Sequence, residues 1–158
     1  MTLTARPMKA ADIPACCAII NQIIAQGGTT AYEEPYTEDA LEAHYLNEAD
    51  ISNVVEHNGR IAGFQAVFAQ EDPNEYSVGS FTDQVVPVKG AGAVLMAKLK
   101  DDCRAAGGTS IVAKITSDNT GGLAFYSKMG FIDETIQKNA FTRKDGITVD
   151  RVIKRFVL

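Results

Sequence analysis

Two strand-to-helix units stand back to back in the second half of this chain, and they narrow the choice of fold more than any other feature. Tyr76 to Val86 reads as a strand, Pro87 ends its ladder, and Gly90-Ala91-Gly92 opens a helix through Val94, Leu95, Leu99 and Cys103. Gly107-Gly108 stops that helix and Ser110 to Thr116 reads as a buried strand. Ser117-Asp118-Asn119 then supplies caps for a helix ending at Gly130. A strand, a helix and a second strand in that order make a crossover between parallel strands.

The flanks read differently. Ile51 to Glu56 and Arg60 to Ala69, joined by His57-Asn58-Gly59, form an antiparallel hairpin, and Phe131 to Phe141 and Thr148 to Val157 form another around Lys144-Asp145-Gly146. Leu3 to Pro7 is a short strand. Asp12 is placed to cap the helix that follows, Pro14 fits its first turn, and Ile13, Cys17, Ile20 and Ile23 or Ile24 form its buried stripe. Gly27-Gly28 ends it, and Thr37 caps a second helix through Leu41, His44 and Tyr45. The fold class is α/β (α+β), with a mixed central sheet of six to seven strands flanked by about four helices. With 158 residues, 46% of them hydrophobic, residues 1–158 are expected to form a single domain around one core.

Several function classes are disfavoured by what the chain lacks. Its formal net charge is -5 and its Lys and Arg residues are scattered among acids, so no basic stripe faces a phosphate backbone and no nucleic-acid partner is expected. No apolar run reaches signal-peptide or membrane-span length, which predicts a soluble, cytoplasmic protein with no membrane partner. Cys16, Cys17 and Cys103 lack a CxxC spacing and read as reduced, packed thiols. Only His44 and His57 are present, too few for a histidine-rich metal site, so no metal is expected, and a Ser-His-Asp hydrolase is disfavoured.

Chemistry concentrates at two places. Gly90 and Gly92 let the backbone approach a ligand, the free amides and dipole of the helix start favour an anion such as a diphosphate, and Lys89 adds charge. A tight strand-to-helix connection explains those glycines equally well. The stretch Asn119 to Phe131 orders a cap, small residues, Phe125-Tyr126, Lys128 and a Gly130-Phe131 exit. Packing explains all of it except a phenol where phenylalanine would serve.

That stretch resembles the Asn-(small)-Phe-Tyr-x-Lys-x-Gly-Phe segment of the GNAT acetyltransferase superfamily. The likeness extends to His57 through Phe64, similar to the family's second-to-third strand hairpin, and to Gly90 through Leu95, similar to its pyrophosphate turn. Gly28 through Thr37 looks like the substrate loop of phosphinothricin and amino-acid N-acetyltransferases.

The resemblance implies an enzyme that moves an acetyl group from acetyl-CoA to the primary amine of a small, amino-acid-like acceptor. It places the diphosphate over Lys89, Gly90, Ala91, Gly92 and Ala93, the pantetheine arm along Gln84, Val85 and Val86, and Asn119 and Tyr126 against the cofactor. Thr30, Tyr32, Glu33 and Glu34 would meet the acceptor. Tyr126 is the implied proton donor to the leaving thiolate. Asp83 is the first candidate for the base that frees the amine, Glu34 the second, with Glu33 behind them. A homodimer is the general expectation for such a fold.

One departure bears on the cofactor loop. Where the family usually carries Gln or Arg, three residues before the first glycine, this chain has Pro87, and its loop is shorter. Fewer backbone donors imply a weaker grip on the cofactor. That keeps two rivals in view: an acyl-CoA-binding module with little or no turnover, and a domain that binds no cofactor. An acetyltransferase acting on a protein or peptide amine is a further alternative.

Overall fold

The computed structural model describes residues 2–158. The strands are β1 (Leu3–Pro7), β2 (Ile51–His57), β3 (Arg60–Ala69), β4 (Glu75–Thr82), β5 (Ser110–Thr116), β6 (Ile132–Thr142) and β7 (Thr148–Val157). The helices are α1 (Ile13–Gln26), α2 (Glu38–Leu41, continued as a π-helical stretch over Glu42–Glu48), α3 (Ala91–Ala105) and α4 (Thr120–Lys128). The sheet order is β1-β2-β3-β4-β5-β7-β6. All neighbours are antiparallel except β4 and β5, which the α3 crossover makes parallel.

Local chemistry accounts for most boundaries. Pro14 sits in the first turn of α1, and Thr37 Oγ1 accepts from Ala40 N at 3.1 Å to cap α2. Asp12 precedes α1 but gives its helix no side-chain cap. Its carboxylate receives Arg6 at 2.8 Å and Lys9 N at 2.8 Å, stitching β1 to the helix start. Asn58 and Gly59 take positive φ of 52° and 76° in the β2–β3 turn.

Alternation along the strands sorts two apolar layers. Phe64 and Ala66 of β3 join α1 and α2 residues in one cluster. Val67 joins Met96 and Leu99 of α3, Tyr126 of α4, and Ile111, Ala113 and Ile115 of β5 in the other. α3 and α4 therefore share one face of the sheet, while α1 and α2 cover the opposite face. The three cysteines are free and buried, and burial pushes the Cys16 and Cys103 thiols up to about 12, so they act as packing groups.

β4 is shorter than the sequence pattern predicts. It ends at Thr82, because Asp83 turns the chain and its Oδ1 accepts the N–H groups of Val85 at 2.9 Å and Val86 at 3.0 Å. The apolar pair Val85-Val86, read as strand, is 70% and 54% exposed on the resulting loop.

Gly108, just past α3, offers a stability test. A Cβ there would lie 2.7 Å from Tyr76 Cε2 and 2.8 Å from the carbonyl oxygen of Cys103. The carbonyl cannot retreat, since it accepts Gly108 N at 2.8 Å. Gly108→Ala is expected to cost about 2 kcal/mol by overpacking, read as a lower urea midpoint with unchanged slope.

Candidate active site

The sheet opens where its two halves meet. β4 and β5 pair only from Glu75↔Ser110 to Ser77↔Val112, while β4 stays on β3 to Thr82 and β5 stays on β7 to Thr116. The two parallel strands therefore diverge into a cleft of about 820 Å³ that reaches both faces of the sheet. N–H groups along a strand alternate between its two neighbours. Asp83 N is bonded to Ala62 of β3 at 2.9 Å, so the N–H groups of Ser80 and Thr82 point the other way, into the gap.

On the α3/α4 side the cleft is walled by helix starts. Gly90 takes φ 90° as the N-cap of α3; Ala91 N is bonded to Val88 O and Val94 N to Gly90 O. The first-turn amides of Gly92 and Ala93 are left without intrahelical acceptors, at the positive end of a 15-residue helix. An anion fits there. Gly92 also lets the Phe125 ring close against the helix, since a Cβ on it would lie 2.9 Å from Phe125 Cε1. Asn119 caps α4 through Gly122 N at 2.9 Å and lines the same wall.

Tyr126 reaches the cleft from the α3/α4 side. Its ring packs edge-on against Phe125 and Phe131, each at a centroid distance of 5.2 Å, and the residue is 8% exposed. It lines the cleft, and its hydroxyl makes no hydrogen bond among the described residues. Burial pushes the phenol above its ordinary value, so it is protonated at neutral pH.

The α1/α2 side is more polar. Gln26, Thr30, Tyr32 and Tyr45 line it, with the Tyr32 and Tyr45 hydroxyls 2.6 Å apart. Across from them lie Lys114 and Thr116 of β5, Asp118, and Arg151 of β7. The loop bearing Thr30 is tied to the β6–β7 turn. Arg143 reaches Thr30 O at 3.4 Å and holds Asp118 at 2.5 and 3.1 Å, Lys144 N donates to Glu33 at 2.9 Å, and Lys144 Nζ pairs with Glu34. These ties roof the compartment.

The predicted residues fall into distinct groups. Gly90, Ala91, Gly92, Ala93, Asn119, Tyr126, Thr30 and Tyr32 all line the one cleft. Lys89 is exposed and outside the lining. Val85 and Val86 are outside it too, and their amides are spent on Asp83. Gln84 N is likewise taken, by Gln22 at 3.1 Å.

The carboxylates expected as bases are all engaged by protein partners. Asp83 lines the cleft, but one oxygen caps the loop and the other receives Arg60 at 2.8 Å. Burial alone would raise its carboxyl, yet the N–H groups of Val86 and Val85, with Gln22 and the Arg60 charge, outweigh burial and hold it below the usual range. Glu34 is 74% exposed in its ion pair with Lys144, and Glu33 faces the same turn; both lie outside the cleft lining.

What sequence reading missed is Asp118, Arg143, Thr116 and Arg151, brought together only by strand pairing. One signal was available. In β7, Arg151 falls between Val149 and Ile153 on the buried side of the alternation, and a charge on that side marks a site.

Residues 20–131 match the sequence profile of the Acetyltransferase (GNAT) family. The chain belongs to this family. Solved structures of similar fold include a GNAT superfamily phosphinothricin acetyltransferase from Sinorhizobium meliloti in complex with acetyl-CoA, at 20% identity and TM-score 0.89, covering 100% of this chain and 89% of that one. A putative phosphinothricin N-acetyltransferase aligns at 26% identity and TM-score 0.84 over 99% of each chain. A putative acetyltransferase from Salmonella typhimurium with its cofactor acetyl-CoA aligns at 19% identity and TM-score 0.88, covering 100% of this chain and 95% of that one. No curated protein matches the chain significantly.

For this GNAT enzyme the Asp83 loop is a structural element with a pH signature. A carboxyl whose folded value is depressed stabilises the fold above its unfolded value, about 3.9, and that contribution fades as pH falls through the folded value. Asp83→Ala is expected to cost about 2 kcal/mol at pH 7, with the gap to the parent shrinking below pH 4, as measured by chemical denaturation at both pH values. No group of His, Cys, Asp and Glu among the described residues could hold a metal, and no helix among them is long and apolar enough to cross a membrane.

Proposed function

We propose that the protein transfers the acetyl group of acetyl-CoA to the primary amine of a small, amino-acid-like acceptor. The observation that carries this reading is the through-sheet cleft, with helix-start amides and a phenol unbonded among the described residues on one side and a roofed polar compartment on the other.

Acetyl-CoA supplies an activated thioester. The amides of Gly92 and Ala93 hold its diphosphate, and Gly92 leaves room for the Phe125 ring that walls this end of the cleft. The N–H groups of Ser80 and Thr82 take the pantetheine arm as an added strand edge and meet negative charge developing on the acyl oxygen. Tyr126 donates a hydrogen bond to the departing sulfur. A thiol of the cysteine kind ionises near 8.5 and the buried phenol well above that, so the bond stabilises a thiolate and leaves the proton on the phenol.

The acceptor amine must lose its proton to attack. Asp118 is the carboxylate exposed to the acceptor compartment, and Arg143 beside it holds its carboxyl below the usual range. It therefore stays ionised and orients an incoming ammonium, whose proton passes to solvent water before attack. The ties from Arg143 and Lys144 hold the loop over the acceptor compartment, and a roofed compartment suits a small, amino-acid-like acceptor.

Incubation with acetyl-CoA and a panel of amino acids, simple amines and lysine-containing peptides, read by mass spectrometry, tests the reading. Acetylated amino acids are the expected product. Acetylated peptides alone would refute the acceptor class, and acetyl-CoA binding with no product from any amine would refute transfer.

A further inference from the structure

Six arginines lie among the described residues, and five of them, Arg6, Arg60, Arg104, Arg143 and Arg155, sit in ion pairs. The Arg151 side chain has neither an ion pair nor a hydrogen bond among those residues, although it is half-buried and lines the cleft. A guanidinium withdrawn from water without a counter-charge is unfavourable unless an anion arrives to meet it.

The surroundings fit an anion. Arg151 of β7 stands directly opposite Thr116 of β5, so both side chains share one face of the sheet. Thr116 is 5% exposed; its buried Oγ1 has no partner in hydrogen-bonding geometry among the described residues, and it lies close enough to the Asp118 carboxylate to help hold that group below its usual range. Lys114, two residues back on the same face, also lines the cleft, its ammonium resting on Gln70 Oε1 at 3.2 Å. The nearby Asp118 is held by Arg143 and does not serve Arg151 as a counter-ion.

The face matters as much as the charge. Ile111, Ala113 and Ile115 of β5 point into the α3/α4 core, so Lys114, Thr116 and Arg151 point to the α1/α2 side. That is the side opposite the helix amides of Gly92 and Ala93. An anion bound by Arg151 therefore belongs to the acceptor and not to the coenzyme.

We propose that Arg151 and the Thr116 hydroxyl bind a carboxylate of the acceptor, so that the enzyme selects amines carrying an acidic group, with Asp118 facing the ammonium end. This rests on the small-acceptor reading above. Arg151 presents the planar fork that suits a carboxylate, the buried hydroxyl donates a further bond, and Lys114 adds long-range attraction.

The test compares the parent enzyme with Arg151→Gln at saturating acetyl-CoA, using the common L-amino acids and their C-terminal amides. The parent should favour an acid over its amide. Arg151→Gln should raise KM for the acid at least about tenfold while leaving the amide unchanged, and Arg151→Lys should fall between. An amide used as well as its acid by the parent, or a parallel loss on both in Arg151→Gln, overturns the carboxylate role and leaves small-amine transfer standing. Transfer to no amine in the panel, with acetyl-CoA still bound, overturns both. Should Arg151→Gln fail to fold, the same split between acid and amide is read on Arg151→Lys.

Discussion

Tyr126→Phe lowers kcat by about a hundredfold while KM for acetyl-CoA and the melting temperature stay where they were. The phenol hydroxyl has no hydrogen-bond partner among the described residues to lose, so phenylalanine keeps the packing against Phe125 and Phe131 and removes one oxygen that faces the cleft. Stability should stay within about 0.5 kcal/mol. The kinetic loss is that of a hydrogen bond formed only as charge gathers on sulfur, which lowers kcat and kcat/KM together.

The pH profile separates this role from simple packing. Burial raises the phenol above its ordinary value of about 10, so Tyr126 produces no alkaline decline below pH 10. Rate should climb with pH as the acceptor amine deprotonates and then level off. A parent profile that falls between pH 8 and 9.5, with the fall absent in Tyr126→Phe, would show a phenol ionising in the working range and contradict the buried-donor role.

The parts of the fold that could be read from sequence are those governed by neighbours along the chain. Asn58-Gly59 and Gly146 make their turns by taking positive φ, and Asn119 caps α4 across three residues. The strand-helix order of the middle segment likewise dictates the parallel β4–β5 pair. The end of β4 was overrun because Asp83-Gln84-Val85-Val86 carries apolar residues that suit a strand. The Asp83 carboxylate reaching two amides ahead decides otherwise. An Asp just ahead of a proline-bearing loop was a turn signal that the apolar pair masked.

The donor side of the site was legible for the same reason: a helix start and its glycines are adjacent in sequence. The acceptor side was not. Thr116 and Arg151 meet through strand register, and Asp118 meets Arg143 through a turn that folds back from the far hairpin. Such pairings follow from sheet order, which no local pattern encodes. Carboxylates were sought at Asp83 on the central strand and at Glu34 and Glu33 in the substrate loop, whereas Asp118, which also lines the cleft, comes from the β5–α4 junction.

Gly92→Val is expected to raise KM for acetyl-CoA about a hundredfold. The first added carbon already falls 2.9 and 3.1 Å from Phe125 ring atoms, inside contact distance, and the branched methyls have only the ring or the cleft to occupy. The ring is held by Tyr126, so relief comes by displacing the wall that the diphosphate must approach. Helix stability moves the other way, since replacing glycine inside a helix removes an entropic penalty, and the melting temperature should hold within a few degrees. Gly92→Ala should show a smaller loss, about tenfold, and Gly92→Val with Phe125→Ala should bind acetyl-CoA better than Gly92→Val alone, because the clash is pairwise. Undiminished acetyl-CoA binding in Gly92→Val would mean that the start of α3 does not hold the coenzyme, and the anion site would have to be sought elsewhere on the cleft wall.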